Sequence, residues 1–188
     1  MTENTFRRVS LKIAREDDES SRRPERVLGI DPGLQSVGYG VIEAIGREAK
    51  LITYGVIQTS PRQSFPERLV VIYEGIENVI QEYRPDRMVF EKLLYCKNVS
   101  IALSMGQARG VVILAGARVS LPMSEYNPTE IKSAVVGRGR ATKDQVQQMV
   151  RILLSLPTLP EPDHAADALA AALTYVYAKP ASAWNRTP

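Results

Sequence analysis

Three apolar runs follow one another with only a few residues between them, and this spacing limits the fold more than any other feature. RVLGID (26–31) reads as a buried strand stopped by the turn Pro32-Gly33, VGYGVIEAI (37–45) alternates in part, and LITYGVIQT (51–59) comes next. Parallel neighbours need a crossover of about a dozen residues or more, so these short connections predict an antiparallel meander. The period then changes. Over 66–83, Leu69, Ile72, Ile76, Val79 and Ile80 recur at spacings of three and four, which predicts a helix ended by Pro85. DRMVFE (86–91) predicts a fourth strand, 99–119 a second helix and PMSEYN (122–127) a fifth strand. Pro128 suits the first turn of a helix through Val136, and Thr142 the start of one reaching Leu154. LPTLPEP interrupts, and an alanine-rich helix over 164–178 follows, with Asp163 expected as its cap. A meander followed by alternating helix and strand predicts an α/β domain, one mixed five-stranded sheet flanked by helices.

The 188 residues are 44% hydrophobic and 24% charged, enough apolar content for one core and too much for a wholly disordered chain. Order is expected over 26–179, between a charged, disordered tail at 1–25 and a short tail at 180–188. One cysteine, Cys96, excludes an intramolecular disulfide framework and a cysteine-based zinc cage, and suits a reducing cytoplasm. The longest unbroken apolar stretch, within 110–117, is far short of the roughly 20 residues a membrane span needs. No membrane segment is expected, nor, from the charged N-terminus, a secretory signal. The net charge of +3 permits nucleic-acid binding without demonstrating it.

Four side chains carry chemistry. Asp31 sits where a core strand meets the Pro-Gly turn, and Glu91 follows the last apolar residue of its strand. His164 and Asp167 share one helix face at i and i+3, among small alanines that let that face press on a sheet. Singly, each has an ordinary structural reading: a turn carboxylate, a strand-end charge, a polar first helical turn. Together they can converge on one point. Crowded carboxylates repel and are costly to desolvate, and a divalent cation removes that cost. Oxygen-rich sets suit Mg²⁺ or Mn²⁺, and two such ions about 4 Å apart can drive phosphodiester hydrolysis.

GIDPG (29–33), GYGVI (38–42), the strand ending in Glu91, Lys97-Asn98, GQARG (106–110) and AADALA (165–170), in this order and spacing, resemble the RuvC family of bacterial Holliday-junction resolvases. The resemblance covers about 26–179. It implies an RNase H-like fold and an endonuclease that resolves four-way DNA junctions, leaving 5′-phosphate and 3′-hydroxyl ends without a covalent enzyme intermediate. Asp31, Glu91 and Asp167 match the family's metal-binding carboxylates. The fourth position falls on His164, where many members have aspartate. The implied cofactor is Mg²⁺ or Mn²⁺, two ions per subunit, and the softer imidazole nitrogen predicts a preference for Mn²⁺.

Further roles follow from the same resemblance. Lys132 and Lys143 fall at basic positions near the scissile strand, with Lys143 also a candidate catalytic residue. Arg138 and Arg140 extend the patch, and Lys97 and Asn98 join the candidate DNA contacts. An aromatic that stacks at the junction centre falls at Leu94, with Tyr95 next, so either Leu94 wedges or Tyr95 stacks. Gln107 and Arg109 lie in a segment matching the family's dimer interface, where glycines would let a second helix approach. The implied partners are Holliday-junction DNA, a second copy of the chain and the RuvA–RuvB branch-migration machinery. The rival readings are a YqgF-like RNA-processing nuclease, an actin-like ATPase, for which 188 residues are too few, and a non-catalytic junction-binding protein.

Overall fold

β1 (Glu25–Asp31), β2 (Ser36–Ile45) and β3 (Glu48–Gln58) form the expected antiparallel meander. The structure is a computed structural model and describes residues 23–92 and 98–178. After the meander come α1 (Phe65–Tyr83), β4 (Arg87–Glu91), α2 (Val99–Arg118), β5 (Met123–Tyr126), α3 (Pro128–Val136), α4 (Lys143–Leu153) and α5 (Asp163–Tyr177). The strands form one mixed sheet in the order β3-β2-β1-β4-β5, with β4 parallel to both β1 and β5.

The helix starts obey local chemistry. Pro128 opens α3 while the Glu130 carboxylate accepts a 2.6 Å hydrogen bond from the Asn127 backbone N–H. Thr142 caps α4, its hydroxyl accepting from Gln145 N–H at 3.3 Å. Gly137, at φ +83°, ends α3 in the left-handed region, where a side chain would be strained.

The two sheet faces carry separate cores. Leu28, Ile30, Val37, Met88 and Phe90 pack with Ile72 and Ile76 of α1 and Ala108 and Val112 of α2. On the other face Val27, Ile42 and Val89 pack with α3, α4 and the alanines of α5. Each fully buried Ile or Val side chain contributes about 1.5–3 kcal/mol of transfer free energy, before ordering entropy is subtracted.

Strand alternation then fixes the site. Val27, Gly29 and Asp31 share the α5 face of β1, and Val89 and Glu91 share that face of β4. The parallel register pairs Ile30 with Phe90, so Asp31 and Glu91 follow side by side at the carboxyl edge of adjacent strands. α5 lies directly on this face because glycines are beneath it. A Cβ on Gly29 would overlap the Ala168 carbonyl, and one on Gly38 the His164 carbonyl.

α2 forms where a second helix was expected, and by length and composition alone it is long and apolar enough to cross a membrane. Its inner side packs on the core through Ala108, Arg109, Val112, Ala115 and Gly116, while Val99, Ile101, Leu103 and Leu114 are exposed. A Cβ at Gly116 would crowd Met123, whereas at Gly106 and Gly110 it would meet nothing within 4 Å among the described residues.

Candidate active site

The carboxyl edge of β1 and β4 meets the first turn of α5 and the first residue of α4. His164 Nδ1 stands 2.6 Å from Asp31 Oδ2. One turn along α5, Asp167 Oδ2 pairs with Lys143 Nζ at 3.1 Å, and the same ammonium lies 3.1 Å from Asp163 Oδ2. Glu91, Lys132, Lys143 and Asp167 line one cleft of about 200 Å³, floored by Ile131, Val146 and Ala170.

The cleft is electrostatically frustrated. Burial raises the Glu91 carboxyl above its ordinary range, and the nearby charges of Asp31 and Asp167 raise it further against the pull of Lys132 and Lys143. Burial also raises Asp167, although Lys143 opposes this. Burial works against the Lys143 ammonium, but hydrogen bonds and charge from Asp163 and Asp167 outweigh it and raise its pKa. Three carboxylates and an imidazole thus share one corner with their negative charge incompletely balanced.

That donor set, three carboxylates and one imidazole nitrogen, suits a divalent cation of the Mg²⁺ or Mn²⁺ type. In this side-chain arrangement no three His, Cys, Asp or Glu residues cluster tightly enough to ligate one ion among the described residues. The cause is visible: His164 holds Asp31, and Lys143 holds Asp167. Rotation of these side chains would be needed before they could share an ion.

The other candidates fall into three groups. Lys132 faces the cleft from α3, while Arg138 and Arg140 are exposed on the α3–α4 loop beside it. Asn98 caps α2, its Oδ1 accepting from Ile101 N–H at 3.2 Å. Leu94, Tyr95 and Lys97 lie outside the described residues.

One expectation is corrected. Asp163 does not cap α5: it is the first helical residue after Pro162, and its carboxylate accepts from Gln147 Nε2 at 2.9 Å and pairs with Lys143. It therefore ties α4 to α5, and those two contacts lower its pKa. Arg109, in the segment that matches the family's dimer interface, is nearly buried at 8% exposure and ion-pairs with Glu125. Glu125 was not foreseen as part of this neighbourhood. The available signal was a charged residue inside the short, mostly buried strand MSEY.

A family model described as the crossover junction endodeoxyribonuclease RuvC matches residues 27–175. The chain belongs to the RuvC family. A RuvC from Desulforamulus reducens is 49% identical over 149 residues, covering 79% of this chain and 91% of that protein. The RuvC of Chloroflexus aggregans is 46% identical over 155 residues, 82% of this chain and 94% of that one. Among solved structures, Thermus thermophilus RuvC in complex with a Holliday junction substrate is similar with a TM-score of 0.78 and 35% identity, covering 81% of this chain and 93% of that one. The yeast mitochondrial Holliday junction resolvase Ydc2, at 14% identity and TM-score 0.58, shares the fold. The mixed five-stranded sheet expected for an RNase H-like RuvC is therefore the fold of this chain.

Proposed function

We propose that this RuvC chain is a divalent-metal-dependent endonuclease that resolves four-way DNA junctions by hydrolysing two symmetry-related phosphodiesters. The observation that carries the proposal is the gathering of Asp31, Glu91, His164 and Asp167 at one edge of the sheet in a chain of this family. These four would hold two ions, Mg²⁺ or Mn²⁺, with His164 favouring Mn²⁺. Bound there, the ions would supply Lewis-acid charge that lowers the pKa of an attacking water and neutralises the leaving oxygen.

The chain's own groups do the remaining work. Lys143, kept at the cleft by Asp163, presents an ammonium to a non-bridging phosphate oxygen. Lys132, Arg138 and Arg140 line the approach of the strand and neutralise further phosphates. Lys97 and Asn98 are further DNA contacts in this reading, and at the junction centre either Leu94 wedges or Tyr95 stacks, stacking being worth about 1–3 kcal/mol per base. Recognition is then mainly of junction shape and phosphates.

Two matched cuts require two sites related by a two-fold axis. The exposed apolar residues of α2, with Val99 at 80% exposure, supply a face for a second copy of the chain. The nuclease domain runs from β1, which opens at Glu25, to α5, which ends at Tyr177, and would work in a reducing cytoplasm beside the RuvA–RuvB machinery. The discriminating experiment compares cleavage of a mobile four-way junction with that of structured RNA. Symmetric nicking of the junction and little RNA cleavage supports the proposal, whereas the reverse preference supports the RNA-processing alternative.

A further inference from the structure

Glu91 is the last residue of β4, and the peptide unit that follows it is held at both ends. Its N–H, from Lys92, donates to the Tyr126 carbonyl at 2.8 Å. Its C=O, from Glu91, accepts a 2.9 Å hydrogen bond from Arg109 Nη1. A peptide plane fixed at both ends fixes the Glu91 ψ angle, and with it the direction in which the Glu91 side chain leaves the strand.

Arg109 is itself rigidly placed. It is nearly buried, its Nη2 pairs with Glu125, and its guanidinium carbon lies 5.1 Å from the centre of the Phe90 ring. Glu125 is the register partner of Phe90 on β5, so the ion pair is built onto the same pair of strands that delivers Glu91. A buried ion pair gives little net stability, because desolvation consumes most of the attraction, and an apolar pair of similar volume often packs as well. Stability is a weak reason for a guanidinium here; geometry is a better one. The planar fork reaches a carboxylate and a carbonyl at once, which lysine cannot do. Nη1 contacts the Glu91 carbonyl and not its carboxylate, and Glu125 takes up the positive charge that would otherwise be drawn to that carboxylate.

We propose that Arg109 is a positioning residue that acts through the Glu91 backbone to aim the Glu91 carboxylate into the cleft, with Glu125 as the counter-ion that keeps the guanidinium off that carboxylate. The proposal rests on the junction-nuclease reading and adds a residue to it. A shift of a catalytic group by about 1 Å can cost on the order of 100-fold in rate, so a backbone anchor one residue from the reacting edge has ample leverage.

The test uses the full chain with Arg109→Met, Arg109→Lys and Glu125→Gln. Four quantities are measured: Mn²⁺ affinity by electron paramagnetic resonance without DNA, junction affinity without divalent ions, thermal melting, and single-turnover cleavage of saturating junction. Arg109→Met is expected to lower cleavage by about tenfold or more and to weaken Mn²⁺ binding severalfold. Junction affinity should stay within about twofold, and Arg109→Lys should restore part of the loss. Glu125→Gln should weaken Mn²⁺ binding at least as much, because the unpaired guanidinium then competes for Glu91.

Parent-like cleavage and Mn²⁺ affinity in Arg109→Met would overturn the proposal. So would a joint fall in melting, junction binding and cleavage that cooling reverses, which marks a purely structural role. Should Arg109→Met fail to fold, Arg109→Lys decides by the same readouts. A parent that cuts no junction at all sinks the nuclease reading instead, and the Mn²⁺ affinities still judge the role of Arg109.

Discussion

His164 Nδ1 and Asp31 Oδ2 are 2.6 Å apart, although 133 positions separate the two residues in the chain. The contact exists because α5 lies close enough to β1 and β2 for its first turn to reach the strand edge. Gly38 makes that approach possible, since the space its side chain would fill is taken by the His164 backbone.

Gly38→Ala should therefore act on the site as well as on stability. A Cβ there must push the start of α5 outward and separate His164 from Asp31. Overpacking of this kind costs about 1–3 kcal/mol. Urea unfolding should show that loss, and junction cleavage measured well below the unfolding midpoint should fall by about tenfold or more, because ligand geometry is disturbed.

The Glu91 carboxyl is raised above the ordinary value of 4.5, first by burial and then by Asp31 and Asp167. In metal-free protein the folded state thus binds more protons than the unfolded chain between those two values. Stability must fall as pH rises through that window and remain lower at neutral pH. Glu91→Gln removes the contribution, so at pH 7–8 without metal it should melt higher than the parent, by the lower part of the about 0.5–2 kcal/mol typical of such gains, since the cleft is partly wet. At pH 4 the difference should shrink. The same variant should lose cleavage, a trade of activity for stability.

Lys132→Ala should weaken junction binding across sequences and reduce the slope of log affinity against log salt by about one unit, the value for one phosphate contact. Arg138→Ala and Arg140→Ala should do the same. Filter binding over a salt series measures each slope, and an unchanged slope assigns that side chain to solvent.

His164→Asp replaces a nitrogen with a carboxylate oxygen and adds a negative charge. It should shift the ratio of Mn²⁺- to Mg²⁺-supported cleavage toward Mg²⁺. Titrations of both ions on parent and variant give the ratio. Equal support by both ions in the parent would refute the preference for Mn²⁺.

Most of the architecture was legible because it obeys local rules. Short connections imposed the meander, Pro85 and Pro128 bounded helices, and the apolar spacing in α1 placed Ile72 and Ile76 in the core. Asp31 and Glu91 each have an ordinary reading alone, a turn carboxylate and a strand-end charge, and they were picked out only in combination with the His164 and Asp167 pair and the ordered motifs around them. Asp163 was misplaced because an Asp before a helix has the same sequence signature as a cap, and only tertiary packing puts Gln147 and Lys143 within its reach. Arg109 was missed as an inward residue because its partners, Glu125 and the Glu91 carbonyl, lie on two other elements. The exposure of α2 was hidden for a related reason: apolar residues all around a helix give no amphipathic stripe to show which side faces the core.

The most direct test is cleavage of a mobile four-way junction by the parent and by Asp31→Asn, each with Mg²⁺, with Mn²⁺ and with chelator. The account predicts paired, symmetric nicks from the parent with either ion and none with chelator, while Asp31→Asn binds the junction and leaves it uncut. Cleavage by the parent in chelator, or by Asp31→Asn at the parent's rate, would contradict it.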